Sequence, residues 1–183
     1  MNEQLEFLKI IAPRLESAGI PYMMTGSMAM ALYSMPRMTR DIDIIIDPTP
    51  EDADVLYHLF QGDCYIDYES VIEAISNRGM FNIIHNEWII KADFIVRKDE
   101  IYRKVEFERR RKVEIQGMNI FTVSPEDLVL SKLYWSSISG SELQKRDARS
   151  IVQTAEGLDW AYLERWAKIL NLDRLLGSIR RDE

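Results

Sequence analysis

The chain has 183 residues, of which 46% are hydrophobic, so it can form one domain with a core, or one domain with a small helical appendage. Its 23 basic and 30 acidic residues give a net charge of −7, which argues against broad binding to nucleic acid or membranes. A single cysteine, Cys64, excludes an intrachain disulfide and a thiolate-rich zinc site. No signal-like or membrane-length apolar segment occurs, so we expect a cytoplasmic protein without a membrane partner.

The first two thirds of the chain mix helix and strand patterns. Three consecutive isoleucines make the strand over 39–47 the clearest element. Before it, Met35-Pro36 ends a helix, because the residue before a proline is pushed out of the helical region. In chain order we predict a helix over 3–18, a strand over 22–25, a short helix opening at Gly26-Ser27, the strand over 39–47, helices over about 49–60 and 69–78, and hairpin strands over 81–85, 88–96, 112–115 and 118–123.

From residue 124 onward the pattern becomes helical. The sequence Ser-Pro-Glu-Asp at 124–127 is typical of a helix start, with a capping hydroxyl, a proline in the first turn and acids at the positive end of the dipole. Further helices are predicted near 141–156, 159–170 and 172–179. We therefore predict an α/β or α+β fold with two parts, a core over 1–123 and a helical C-terminal subdomain over 124–183.

Two aspartates stand in the clearest strand. Asp41 and Asp43 are two residues apart, so their side chains project from the same face of the strand, while Ile42, Ile44 and Ile46 occupy the other face. Two like charges this close repel each other, and aspartate is a poor strand former. Carboxylate oxygens are the preferred ligands of Mg²⁺. The pair therefore indicates a divalent-metal centre.

A third acid is expected near this pair. Asp93 lies alone among apolar residues in the predicted strand over 88–96, and such an aspartate is costly to bury unless it is paired or liganded. Three carboxylates can hold two metals roughly 3.5–4 Å apart for displacement at phosphorus. The simpler interpretation is a salt bridge, for example to Lys91 on the same face.

The Gly26-Ser27 turn adds a candidate phosphate site. It lies between a predicted strand and a predicted helix, and 13 residues separate it from Asp41. Glycine allows the backbone to approach a phosphate closely, and a helix start offers unpaired amides and the positive end of the dipole. Ser27 adds a hydroxyl donor. Gly-Ser alone also occurs in ordinary turns, so the spacing to the Asp-Ile-Asp strand carries the argument.

These motifs resemble a known family. Residues 23–46, from Met-Met-Thr-Gly-Ser to Arg-Asp-Ile-Asp-Ile, resemble the signature of the nucleotidyltransferase superfamily that includes DNA polymerase beta. The chain is most similar to the small bacterial nucleotidyltransferase-like proteins near the AbiEii-like abortive-infection toxins. The likeness extends to Lys-Ala-Asp at 91–93, to residues 124–132 and to Arg-Asp at 146–147. It implies a nucleotidyltransferase-like mixed sheet flanked by helices, with a helical C-terminal part.

The resemblance also assigns roles to the residues singled out above. It implies that Gly26 and Ser27 form the phosphate-binding turn and that Asp41 and Asp43 are ligands of both metals. It implies that Asp93 helps to hold the catalytic metal and accepts the proton of the attacking hydroxyl. The expected cofactors are two Mg²⁺ ions, with Mn²⁺ as the alternative.

Other residues are assigned to the nucleotide. The resemblance places Lys132 and Asp147 on helices around it; the alternatives are a surface lysine, and an aspartate that pairs with its neighbour or caps a turn. Arg40 is a candidate for neutralising triphosphate charge, or for pairing with the aspartates at the surface. One departure is Ser150, which stands where the family usually has a second acid.

The expected function is metal-dependent transfer of a nucleoside monophosphate from a nucleoside triphosphate, such as ATP, to an acceptor hydroxyl. The acceptor class stays open between a small molecule such as an antibiotic, a protein and an RNA end, and the acidic composition disfavours RNA. The basic run over 109–112 is either a solvated face or a contact for phosphates. Two alternatives remain: a toxin with a separately encoded antitoxin that uses the same chemistry, and a degenerate nucleotide-binding module.

Overall fold

The computed structural model of the protein describes residues 2–35 and 41–180. The strands in these ranges are β1 (Tyr22–Thr25), β2 (Asp41–Ile46), β3 (Cys64–Ile66), β4 (Met80–His85), β5 (Lys91–Val96), β6 (Arg111–Ile115) and β7 (Met118–Thr122). The helices are α1 (Asn2–Ser17), α2 (Gly26–Met30), α3 (Asp52–Phe60), α4 (Tyr68–Asn77), α5 (Ile101–Glu108), α6 (Pro125–Ser139), α7 (Glu142–Thr154), α8 (Trp160–Ile169) and α9 (Asp173–Ile179).

The strands form one mixed sheet in the order β3-β4-β5-β2-β1-β7-β6. The β2–β5 and β1–β7 pairs are parallel, and the other neighbours are antiparallel. Both predicted hairpins are present, as the β4–β5 and β6–β7 pairs. The predicted fold class, a mixed α/β sheet flanked by helices with further helices at the C-terminal end, is confirmed. The division into parts at residue 124 stays a prediction.

The structure differs from the predicted elements in four places. Helix α2 ends at Met30, before the predicted stop at Met35, and is followed by turn bonds of the i→i+3 type such as that from Tyr33 N to Met30 O. Strand β5 begins at Lys91 and not at Trp88, because the hairpin turn continues to Ile89, whose φ of 53° takes it out of the extended region. Strand β3 was not predicted, since its three residues are too few to show an alternation. Helix α5 was also not predicted, because its sequence IYRKVEFE is strongly polar.

Strand β2 shows why the sheet has two unlike faces. Ile42, Ile44 and Ile46 are fully buried in a hydrophobic cluster that also includes side chains from α1 and α3. The alternate residues of β2, beginning with Asp41 and Asp43, project from the opposite face. The catalytic candidates thus lie on the face that the main core leaves open.

A buried carboxylate secures the start of α6. Asp127 is completely buried and accepts hydrogen bonds from the hydroxyls of Ser124 (2.6 Å), Tyr102 (3.2 Å) and Tyr162 (2.6 Å), and from Nε of Arg109 (3.0 Å). Several donors compensate the cost of burying this charge. The predicted helix start at 124–127 is confirmed, with Ser124 as the capping residue.

Two arginines of the basic run over 109–112 are paired with a buried acid. Arg109 and Arg111 both contact Oε2 of buried Glu126, at 3.4 and 3.2 Å. Arg110 donates to the carbonyl oxygen of Phe107 at 2.8 Å. These contacts tie α5 and β6 to α6.

In the part of the chain that the structure describes, no helix is both long and apolar enough to cross a membrane.

Candidate functional site

Strand register brings the predicted site residues Asp43 and Asp93 into one row. Across the antiparallel β1–β2 pair Thr25 lies opposite Asp43, and across the parallel β2–β5 pair Asp43 lies opposite Asp93. Neighbouring strands are about 4.8 Å apart, and residues paired in register project from the same face. Asp41 precedes the row on β2 and is paired with Lys91. The structure therefore brings Asp41, Asp43 and Asp93 together at one end of the open face.

The carboxylate of Asp43 packs directly against the backbone of Gly26. A Cβ atom at position 26 would lie 1.9 Å from Oδ2 of Asp43, and φ of Gly26 is +65°. Both the space and the backbone conformation therefore require glycine. Gly26 begins the short helix α2, and Ser27, which follows it, is buried. The predicted phosphate turn thus directly adjoins the carboxylate row.

Asp93 is buried, and its two carboxylate oxygens differ in their bonding partners. Its Oδ2 lies 2.9 Å from Nζ of Lys91, so the alternative of a salt bridge to Lys91 is realised. Its Oδ1 is buried and has no hydrogen-bond partner among residues 2–35 and 41–180. An unpaired buried carboxylate oxygen is costly. The salt bridge therefore satisfies only half of this side chain.

Lys91 reaches a second carboxylate as well. Its Nζ lies 3.6 Å from Oδ2 of Asp41, so the ammonium group stands between Asp41 and Asp93. The hydrogen bond to Asp93 raises the pKa of Lys91 above its ordinary value. Among the described residues, no three His, Cys, Asp or Glu side chains form a ready set of metal ligands. Lys91 supplies the positive charge between the two outer carboxylates.

The neighbouring charges and burial act on the pKa of Asp43. Burial raises the pKa of Asp43, and the charges of Asp93 and Asp41 raise it further. The charges of Lys132 and Lys91 act in the opposite direction. The net shift is upward, so the negative charges and the loss of water outweigh the two ammonium groups. A further cation beside Asp43 would be favourable.

The two predicted helical residues meet across α6 and α7. Lys132 is buried and not a surface lysine, and its Nζ lies 2.9 Å from Oδ2 of Asp147 and 3.2 Å from Oε1 of Gln144. Lys132 is close enough to the row for its charge to act on Asp43. Ser150, where the family usually has an acid, contacts the hydroxyl of Ser34.

Arg40 lies outside the described residues. A polar cluster near Lys132 was not predicted; in it, Arg103 contacts Oε2 of buried Glu106 at 2.8 Å and Ser131 Oγ at 2.7 Å. The spacing of Arg103 and Glu106, three residues apart, is typical of an ion pair on one face of a helix. That pattern is informative only once α5 is known to be a helix.

A comparison with protein-family models shows the family of the chain. The model of the family described as "Nucleotidyltransferase of unknown function (DUF6036)" matches residues 2–170. The predicted membership of the nucleotidyltransferase superfamily is thereby confirmed. The narrower similarity to AbiEii-like toxins stays a prediction. A comparison with curated proteins finds no match.

Solved structures of low sequence identity share the fold. The chain is similar to TM1012 from Thermotoga maritima, with 22% identity, a TM-score of 0.56 and coverage of 79% of this chain and 92% of that one. It is similar to ANT(2")-Ia in complex with adenylyl-2"-tobramycin, with 14% identity, a TM-score of 0.60 and coverage of 93% and 98%. It is similar to the lincomycin-bound lincosamide antibiotic adenylyltransferase LnuA, with 13% identity, a TM-score of 0.52 and coverage of 82% and 94%.

Replacing Gly26 by alanine tests the close packing of Asp43 against Gly26. Gly19 is a matched control, since its φ is +69° but a Cβ there would meet nothing within 4 Å. Both substitutions impose a backbone cost of about 1 kcal/mol. Gly26→Ala adds a clash that we expect to cost about 1–3 kcal/mol more. Chemical denaturation of both variants measures the difference, and equal losses of stability would contradict the close packing.

The raised pKa of Asp43 predicts a pH dependence of stability in metal-free buffer. The folded protein keeps the Asp43 proton at pH values where the unfolded chain has lost it. The free energy of unfolding therefore falls as pH rises from the unfolded pKa through the folded pKa. Asp43→Asn removes this loss, so the variant should become more stable than the wild type as pH increases.

An exposed aspartate, Asp99, provides a control, because its pKa is shifted in the opposite direction. The hydrogen bond from Lys104 lowers the pKa of Asp99, so that carboxylate stabilises the fold above its unfolded pKa. Asp99→Asn should therefore be less stable than the wild type at neutral pH. Denaturant titrations from pH 3 to pH 8 compare both variants, and parallel curves for Asp43→Asn and the wild type would refute the assignment.

Proposed function

The chain belongs to the nucleotidyltransferase family DUF6036, and from this membership we propose that it transfers a nucleoside monophosphate from a nucleoside triphosphate to an acceptor hydroxyl. The observation that carries the proposal is the carboxylate row, with Asp43 seated on Gly26 and Oδ1 of Asp93 buried without a described partner. ANT(2")-Ia, solved with adenylyl-2"-tobramycin, and the adenylyltransferase LnuA support a nucleoside monophosphate as the transferred group.

The residues of the row fit a divalent metal. Asp41, Asp43 and Asp93 offer only carboxylate oxygens, the ligand type that suits Mg²⁺ and Mn²⁺. A cation would relieve two costs of the present arrangement, the unpaired Oδ1 of Asp93 and the raised pKa of Asp43. We assign these three side chains as the groups that hold the metal. When bound, divalent ions lower the pKa of an attacking hydroxyl and stabilise the charge of the departing pyrophosphate.

The other residues position and neutralise the substrate. The amides at Gly26 and Ser27 would bind the triphosphate at the start of α2. Lys132, held by Asp147, adds positive charge next to Asp43. Asp93 is the carboxylate assigned to accept the proton of the acceptor hydroxyl. The contribution of the chain is thus orientation of the reactants and fixed charge.

Lys91 must give way to a metal that binds both Asp41 and Asp93, because its ammonium group occupies the space between them. Its side chain is 37% exposed, so it can turn towards solvent. We therefore assign Lys91 as the cation that stabilises the metal-free site. Removing it should destabilise that state and strengthen metal binding.

Thermal unfolding with and without MnCl₂ or MgCl₂ tests the metal assignment. The wild type should gain stability with metal, and Asp93→Asn should lose most of this gain. Lys91→Met should melt about 2–4 °C lower without metal and show a larger increase with it. Lys104→Met is the matched control, because Lys104 forms a 2.9 Å pair with Asp99 outside the site.

A metal effect that is equal in the wild type, Asp93→Asn and Lys104→Met would show that the ions bind elsewhere. A smaller increase for Lys91→Met than for the wild type would mean that Lys91 helps metal binding, which contradicts its role as a competing cation.

The transfer itself is tested with labelled nucleotides. Each nucleoside triphosphate, labelled once at the α-phosphate and once at the γ-phosphate, is incubated with protein, MgCl₂ and cell extract. Nucleotidyl transfer predicts that the α-label enters the acceptor while the γ-label is released in pyrophosphate, with at least about a hundredfold less labelled acceptor from Asp43→Asn. Asp99→Asn serves as the control and should act like the wild type. Equal labelling by wild type and Asp43→Asn, or transfer of the γ-label to an acceptor that depends on Asp43, would reject the proposal.

The two alternative functions, a toxin and a degenerate nucleotide-binding module, share features of the proposed site. A toxin paired with an antitoxin would use the same chemistry, so the site does not separate it from a metabolic or resistance enzyme. A degenerate nucleotide-binding module is less well supported, since Asp41, Asp43 and Asp93 are all present and lie together. Ser150 contacts Ser34 and takes no part in the carboxylate row.

A further inference from the structure

A cavity lies on the same face of the sheet as the carboxylates. Its floor is formed by Met23, Ile45 and Ile95, which are paired in register across β1, β2 and β5. Ile45 and Ile95 follow Asp43 and Asp93 by two residues, a step of about 6.6 Å along each strand. The floor is thus the direct continuation of the carboxylate row. Because residues of α5 and α6 form the walls, we call the cavity the α5–α6 pocket.

The mouth of the α5–α6 pocket is apolar and exposed. Trp135 and Ile138, both on α6, are 55% and 61% exposed. Large exposed apolar side chains around a concave site mark a binding surface. The cavity volume of about 230 Å³ is below the usual range for drug-sized ligands, so a small ring system fits it better than a polymer.

Three polar side chains in the walls, Arg103, Glu106 and Ser131, are bonded to one another. Ser131 Oγ donates to Glu106 Oε1 at 2.6 Å, and Arg103 contacts both of these side chains. Lys132 bonds to Asp147. Reading the edge of a nucleobase needs donors and acceptors that are free to bind it. The pocket instead offers apolar contact, with its polar cluster engaged.

We propose that the α5–α6 pocket binds the ring of a small-molecule acceptor, a neutral alcohol with an aromatic or alicyclic body, and thereby presents its hydroxyl to the carboxylate row. This inference rests on the proposed function. In the reaction the acceptor oxygen bonds to the α-phosphorus, and the bond from that phosphorus to the bridging oxygen breaks. Pyrophosphate leaves with the electron pair, and the hydroxyl proton passes to Asp93.

Binding is tested first, without metal or nucleotide. In protein labelled with ¹⁵N-tryptophan, the indole resonance of Trp135 is assigned from its absence in Trp135→Phe. Cyclohexylmethanol should shift this resonance saturably, whereas adenosine and a ten-nucleotide RNA should not. Ile138→Arg, which places a charge at the mouth, should weaken cyclohexylmethanol binding about tenfold. Ile169→Arg is the control, since Ile169 is 58% exposed on α8.

Two results of this binding test would overturn the inference. One is a shift with adenosine or RNA but not with cyclohexylmethanol. The other is equal binding by Ile138→Arg and the wild type. Neither result depends on turnover, so both are separate from a failure of the proposed function.

The labelling reaction then tests the acceptor class. The α-label should appear in a small, acid-soluble product, with about tenfold less from Ile138→Arg than from the wild type or Ile169→Arg. Label in RNA or protein that depends on Asp43 would overturn the small-molecule acceptor and leave the proposed function intact. Saturable alcohol binding without any Asp43-dependent label would overturn the transfer itself, and the acceptor role with it.

Discussion

The placement of like charges side by side in a sheet is the constraint on which the site depends. The register of β2 with β5 sets Asp43 next to Asp93, and the alternation of the strand adds Asp41 to the same face. Backbone hydrogen bonds fix this arrangement, so the carboxylates cannot separate. Their repulsion and burial raise the pKa of Asp43, and Lys91 and Lys132 offset that shift only in part. This arrangement therefore favours the binding of an additional cation.

Two buried aspartates differ in how their charge is compensated. Asp127 is completely buried, and its charge is met by three hydroxyls and an arginine, so it secures α6 without need of a ligand. Asp93 is similarly buried, but its Oδ1 has no partner in the described part of the chain. Burial alone therefore does not identify a candidate functional acid. The unsatisfied oxygen distinguishes Asp93 from Asp127, because the cost of burying it would be offset by a bound cation.

Local sequence was enough where a residue type has one strong physical preference. The capping motif at 124–127 and the isoleucines of β2 each predicted an element that the structure contains. Prediction failed where the pattern was short or polar. Strand β3 has three residues, and α5 is stabilised by contacts with α6, including the bond from Arg103 to Ser131, which no local window contains.

Three features of the site can be read from the amino-acid sequence: two aspartates on one strand face, a Gly-Ser turn 13 residues earlier and a third aspartate in an apolar strand. They follow from the two-residue period of a strand and from the short range of a turn. Three further features are visible only in the folded chain: Asp43 packs against Gly26, Lys91 lies between two carboxylates, and an apolar pocket extends the row. Each of these depends on strand order and register, which are fixed by packing between segments distant in sequence.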